Sequence, residues 1–288
     1  MLPRTMSIVL SLVAIAVAAS SAASEAGVPA YRAETGHCVL EWSDKPDSAE
    51  IEWMSREAAT LYRRVAELLG EQPADKITIL LEGPAERADG RRDYPRVDSQ
   101  GRIHLFKFGP DAGSYLSALA HEMVHAFRID RIRTADWFFE EGFAEFVALR
   151  ADPSLAGFPW FDFPVTIVAG QWVAAGQGIP LSALRERHGQ LNMACRAQSY
   201  SLRSSFFDWL GRTHGDKVVI ATAKMQPAGS LTDYEKFFGK PFEELEREWR
   251  KALMAEYRAI PDADVLAKEF RQASPIQYQP VCSAGKDF

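Results

Sequence analysis

The chain is short of histidine and of cysteine. Its 288 residues hold 6 His and 3 Cys. Three cysteines are too few for a disulfide-built scaffold, and no CxxC pair is present to seat a structural zinc. Surplus positive charge is also missing. Lys and Arg total 33 against 39 Asp and Glu, leaving a net charge of −6. A broad nucleic-acid-binding face needs clustered excess Lys and Arg to neutralise phosphates, so nucleic acid is excluded as a partner. The apolar run from Ile8 to Ala19 is twelve residues long, short of the roughly 20 that cross a bilayer. What remains is 47% hydrophobic and 25% charged, which supports a buried core and excludes a wholly disordered chain.

The N-terminus reads as an address. Arg4 supplies positive charge, Ile8 to Ala19 supply the apolar stretch, and Ser21-Ala22-Ala23 supply the small residues a signal peptidase reads. Residues 1–23 are therefore expected to be a signal peptide. Its cleavage would leave a secreted or periplasmic protein with no stable membrane insertion. Export implies an oxidising compartment, where thiols pair. The count is odd, so at most one internal bridge forms. Cys38 with Cys282, near the two ends of the chain, is the expected pair.

Local patterns set out the elements. Asp47-Ser48-Ala49-Glu50 starts a helix, and Ile51, Met54, Ala58, Leu61, Tyr62, Val65, Leu68 and Leu69 recur at helical spacing until Gly70. Lys76 to Leu81 is a β-branched run, and Arg102 to Phe106 alternates, so both are expected strands. Glu82 to Gly101 reads as a loop. Gly113 or Ser114 caps the next helix, which carries Leu116, Leu119, Ala120, Met123, Val124 and Phe127. Further helices are expected over 137–150, 165–175, 195–212, 216–225 and 241–258. The tail from Pro261 has little periodicity. No repeat or linker divides the chain, so one unit with a small sheet is expected.

The scarce histidines carry the chemistry. His121-Glu122-Met123-Val124-His125 is an HExxH motif. Residues four apart share a helical face, so the two imidazoles can hold one metal ion. Glu122, beside the first ligand, is placed to act as general base on a metal-activated water. A catalytic zinc needs three protein ligands and an open position. The HExxHxxGxxH class would need Gly and His where this chain has Arg128 and Arg131, which excludes it. Glu140, Glu141 and Glu145 lie downstream and compete for the third place. Glu141 and Glu145 share a helical face, while Glu140 points elsewhere. Asp130 and Asp136 are alternatives, though a carboxylate in a helix-to-helix turn is more often a cap. Gly142 and Ala144 are small enough to let this helix approach the HExxH helix closely.

These segments resemble the gluzincins, the His-His-Glu zinc peptidases, and more narrowly the peptidase MA-like family. His121-Glu122-Met123-Val124-His125 is followed by Trp137-Phe138-Phe139-Glu140-Glu141-Gly142-Phe143-Ala144-Glu145, similar to that family's W-(aromatic or Leu)-x-E-G-x-A-E. Ile179 to Leu184, Ala197-Gln198-Ser199-Tyr200 leading to Leu210, and Phe238 to Trp249 are similar to its later segments. The resemblance spans roughly Lys76 to Met254. It implies an α+β, mainly helical fold: a zincin-like catalytic unit with a small mixed sheet, then a helical C-terminal portion. In domain terms it implies an N-terminal helical segment over 24–75, a peptidase domain over 76–258 and a tail over 259–288.

The resemblance also implies one zinc per chain on His121, His125 and Glu141, with Glu141 the residue directly before Gly. Peptide bonds of a peptide or protein substrate would be hydrolysed, with Glu122 as base. Tyr200 is the candidate to stabilise the oxyanion, and Glu145 the candidate to orient a ligand imidazole. No Gly-Ala-Met-Glu-Asn-like segment is present to bind a free amine, which points to an endopeptidase. Two other functions fit the residues: a catalytically retired scaffold that binds or chaperones a partner, and a zinc hydrolase of a non-protein amide.

A few further residues carry expectations. The strand 102–106 is a candidate sheet edge for an extended peptide, with His104 facing a cleft or solvent. His37, His188 and His214 give no metal pattern. Arg87, Arg91, Arg92 and Arg96 form a basic loop, and Phe158, Trp160, Phe161 and Phe163 are expected to close the core.

Overall fold

A computed structural model describes residues 31–84, 93–107, 112–132, 136–152, 163–187, 195–225 and 231–273. The expected signal peptide, Arg87, Arg91, Arg92, Phe158, Trp160, Phe161, His188 and Cys282 lie outside the described residues.

The first described elements are strands that periodicity does not reveal: β1 (Tyr31–Glu34) and β2 (Cys38–Trp42). Helix α1 (Ser48–Leu69) follows. Asp47 caps it by accepting from the backbone N–H of Glu50 at 2.7 Å, and Gly70 ends it in the left-handed region with φ 61°. Then come β3 (Ile77–Pro84), the two-residue β4 (Arg96–Val97) and β5 (Ile103–Lys107).

The five strands make one mixed sheet in the order β1-β2-β3-β5-β4. The two outer pairings are antiparallel, and β2, β3 and β5 run parallel. Leu40, Ile79, Leu81, Ile103 and Leu105 are buried, as parallel strands covered by helices require. Strand β5 is therefore not an edge along its whole length. It sits between β3 and β4, with Ile103 opposite Val97 and His104 opposite Arg96. The edge on that side is β4, which the Pro- and Gly-containing stretch 82–101 hides from a pattern reading.

The remaining chain is mainly helical. It comprises α2 (Ala112–Phe127), α3 (Ile129–Ile132), α4 (Trp137–Ala151), α5 (Val165–Ala174), α6 (Leu181–Glu186) and α7 (Arg196–His214). Then follow α8 (Asp216–Lys224), α9 (Leu231–Phe238), α10 (Phe242–Ala259) and α11 (Ala263–Ala273). The last turns the expected tail into a docked helix, with Phe270 buried against Val168, Trp172 and Tyr200. No described helix is long and apolar enough to cross a membrane.

Helix α4 is the pivot. It packs against α1, α2 and α7, and nearly every residue from Phe138 to Ala148 is buried. A helix buried on all sides carries apolar residues all round, and this one does. Its three glutamates are therefore forced inside, where each needs a partner.

The cysteines correct an expectation. Cys38 is a free, fully buried thiol on β2, and burial pushes it up to about 12, where it stays protonated and inert. The disulfide-bonded residue is instead Cys195, directly before α7. Nearness to the two ends of a chain is no guide to a bridge when β2 is an inner strand.

Candidate metal centre

Helix α2 turns Leu119, Ala120, Met123 and Val124 into the core. One turn apart on the same helix, His121 and His125 bring their Nε2 atoms within 3.1 Å of each other. Helix α4 supplies Glu141. Its Oε2 lies 3.3 Å from Nε2 of His121, and its Oε1 lies 3.8 Å from Nε2 of His125. All three side chains are buried, and their ligand atoms lie within 4.8 Å of one another. A tetrahedral zinc with ligands at about 2.0–2.1 Å sets its donor atoms about 3.3–3.4 Å apart, so the donor set and its spacing fit that ion.

A second carboxylate addresses the far side of the first ring. Oε1 of Glu145 is 2.9 Å from Nδ1 of His121, a contact good in distance though off the line of an ideal hydrogen bond. Glu145 is one turn beyond Glu141, so one helix face delivers a ligand and its ligand's partner. A carboxylate there fixes the ring so that Nε2 faces inward.

Electrostatics call for a cation at the same point. Burial disfavours a charged His121, but Glu145, Glu141 and Glu122 around it hold its pKa well above the usual histidine value. Burial brings His125 down to about 4, with Glu141 opposing and charged His121 adding to the fall. Burial works to raise Glu141, yet His121, His125 and Arg203 take it well below the carboxylate range. Counting Arg128 as neutralised by Glu140, the ionised Glu122, Glu141 and Glu145 exceed Arg203 by two charges. A divalent cation balances that excess.

Tyr200, on α7, comes to the same place. Its ring centroid is 6.0 Å from that of His121, and the residue is buried. Three residues on, Arg203 lays its guanidinium over the Tyr200 ring, 4.6 Å from the centroid. The sequence reading passed over Arg203. The available signal was its i, i+3 spacing from Tyr200, which puts both on one face.

Other singled-out residues fall elsewhere. Asp136 is a cap for α4, accepting from Phe138 N–H at 2.9 Å, and pairs with Arg185 at 2.6 Å. Asp130 lies in α3, and neither aspartate joins the cluster. Gly142 faces α7 rather than α2, because a Cβ there would overlap the Phe207 ring. Glu140, set aside as pointing elsewhere, forms a fully buried pair with Arg128. His104 is neither free in solvent nor part of the cluster. Its Nδ1 is 2.9 Å from Glu82 and its Nε2 3.2 Å from Asp98. His37 stacks on Tyr62, Arg96 lies over Phe106, and Phe163 packs on the Tyr200 cluster.

No protein-family model matches the chain, and neither does any curated protein or solved structure.

Proposed function

We propose that the chain is an exported zinc-dependent peptidase of the gluzincin kind, an endopeptidase acting on peptide or protein substrates. One zinc per chain would sit on His121, His125 and Glu141, in a zincin-like unit built from α2, α4 and the sheet. The observation that carries this reading is the convergence of two Nε2 atoms and one carboxylate, with Glu122 adjoining the first ligand.

Bound zinc supplies a Lewis acid and lowers the pKa of a water towards about 7. The protein's own groups do the rest. Glu122 takes the proton from the attacking water and returns it to the leaving amine. The Tyr200 phenol donates a hydrogen bond to the oxygen that gains charge as the carbonyl is attacked. Glu145 keeps His121 from turning its Nε2 away.

The test is a metal analysis with a peptide-library cleavage screen, on wild type and Glu122→Gln. The expected result is about one zinc in both and a loss of about 10²–10⁴-fold in cleavage for the variant. Cleavage that survives Glu122→Gln overturns the mechanism. Zinc without cleavage of any peptide points to the binding scaffold or to a non-protein amide substrate.

A further inference from the structure

We infer that Arg203 is a positioning residue: its buried guanidinium ties the Tyr200 ring to Glu141, so that phenol and carboxylate keep one fixed relation. The inference rests on the peptidase reading of the same site.

A guanidinium fully removed from water is expensive, and it persists only where specific partners repay its lost hydration. Two arginines rank among the largest fully buried side chains, Arg128 and Arg203. Arg128 has an obvious reason to be there, a two-pronged pair with Glu140. The surroundings of Arg203 are different in kind. Its Nε donates to the backbone oxygen of Ser199 at 3.2 Å, which holds the stem against α7. Its plane covers the Tyr200 ring. Its charge falls on Glu141, helping to hold that carboxylate ionised. Arg203 thus touches one group proposed to donate to the substrate and acts on one proposed to bind the metal.

Shape matters as well as charge. Only a planar guanidinium can lie flat on a ring and present charge at its rim. Lysine would keep the charge without the plane, and methionine would fill the space without the charge. The two substitutions therefore separate the two duties.

The experiment uses the full chain as wild type, Arg203→Met, Arg203→Lys, Tyr200→Phe and the double variant Arg203→Met with Tyr200→Phe. Zinc affinity is read by competition with a chromophoric chelator, and kcat and KM on a cleaved peptide. Arg203→Met is expected to weaken zinc by about 10-fold. It should also lower kcat by about 10–100-fold with KM little changed, because misplacement by about an ångström costs that much. Arg203→Lys should recover zinc affinity but not kcat. The double variant should be within about threefold of Tyr200→Phe alone, since both changes remove the same placement.

Wild-type kcat in Arg203→Met, or losses that multiply in the double variant, would overturn the inference while leaving a zinc-bound, cleaving wild type as support for the peptidase reading. If Arg203→Met does not fold, Arg203→Lys decides: full turnover there overturns the inference, and lost turnover with zinc retained supports it. If the wild type holds zinc but cleaves nothing, the peptidase reading fails and the zinc arm decides. Weak binding by the methionine variant with recovery in the lysine variant then supports the inference, and equal affinities overturn it. A wild type that binds no zinc overturns both.

Discussion

Arg128 and Glu140 meet fork to fork inside the protein, Nε to Oε1 at 2.6 Å and Nη2 to Oε2 at 2.9 Å, with neither side chain touching solvent. The remaining Nη1 donates to the backbone oxygen of Ala223 at 3.0 Å, and the guanidinium lies over Phe143 at 5.0 Å. The pair joins the end of α2 to the first turn of α4, and so holds the helix with both histidines against the helix with Glu141.

Removing one partner strands the other charge in the interior. Arg128→Ala and Glu140→Ala should each lower stability by about 3–5 kcal/mol, measured by urea unfolding. The apolar double variant Arg128→Met with Glu140→Leu should recover much of that loss. A double variant as unstable as the sum of the singles would contradict this account.

Glu145 acts through His121 rather than on a substrate. Glu145→Ala should weaken zinc by about 10–100-fold in a chelator competition, and Glu145→Gln by less, since an amide oxygen can still accept from the ring. An unchanged affinity in Glu145→Ala would remove this role.

Gly142 is where α4 and α7 come closest. Gly142→Ala drives a methyl into the Phe207 ring and should cost about 1–3 kcal/mol by chemical denaturation. Combining it with Phe207→Leu should give a loss smaller than the sum of the two. Strict additivity would mean that the two side chains do not meet.

Acid sensitivity is expected at the sheet edge. Burial would raise Asp98, but the backbone N–H of Arg102, with His104, the Arg102 side chain and the Gln100 N–H, brings it from 3.8 down to about 2. A depressed carboxylate contributes stability above its ordinary value and loses it as pH falls through the lowered one. Asp98→Asn should therefore be less stable than wild type by about 1 kcal/mol at pH 7, after allowance for solvent screening. The two should converge as pH falls from about 4 to about 2. Unfolding midpoints at three pH values read this, and a gap constant with pH would contradict it.

How much was legible varied from element to element. Helix α1 was, because a capping aspartate, an apolar stripe and a glycine stop all act within a few residues of one another. Strands β1 and β2 were not. They are four and five residues long, and their meaning lies in pairings with residues far along the chain. The same holds for β4, whose two residues become an edge only when β5 lies beside them.

By itself the sequence determined that His121 and His125 share a face with Glu122 between them, since an α-helix repeats every 3.6 residues whatever surrounds it. It also narrowed the third ligand to a few carboxylates. Only the tertiary structure decided among Glu140, Glu141 and Glu145, sending one to Arg128, one to both histidines and one to the back of His121. The physical reason is that α4 is enclosed on every side. An exposed helix records its orientation as an apolar and a polar face, and an enclosed one does not. The directions of its acids are set by what α1, α2 and α7 bring against it.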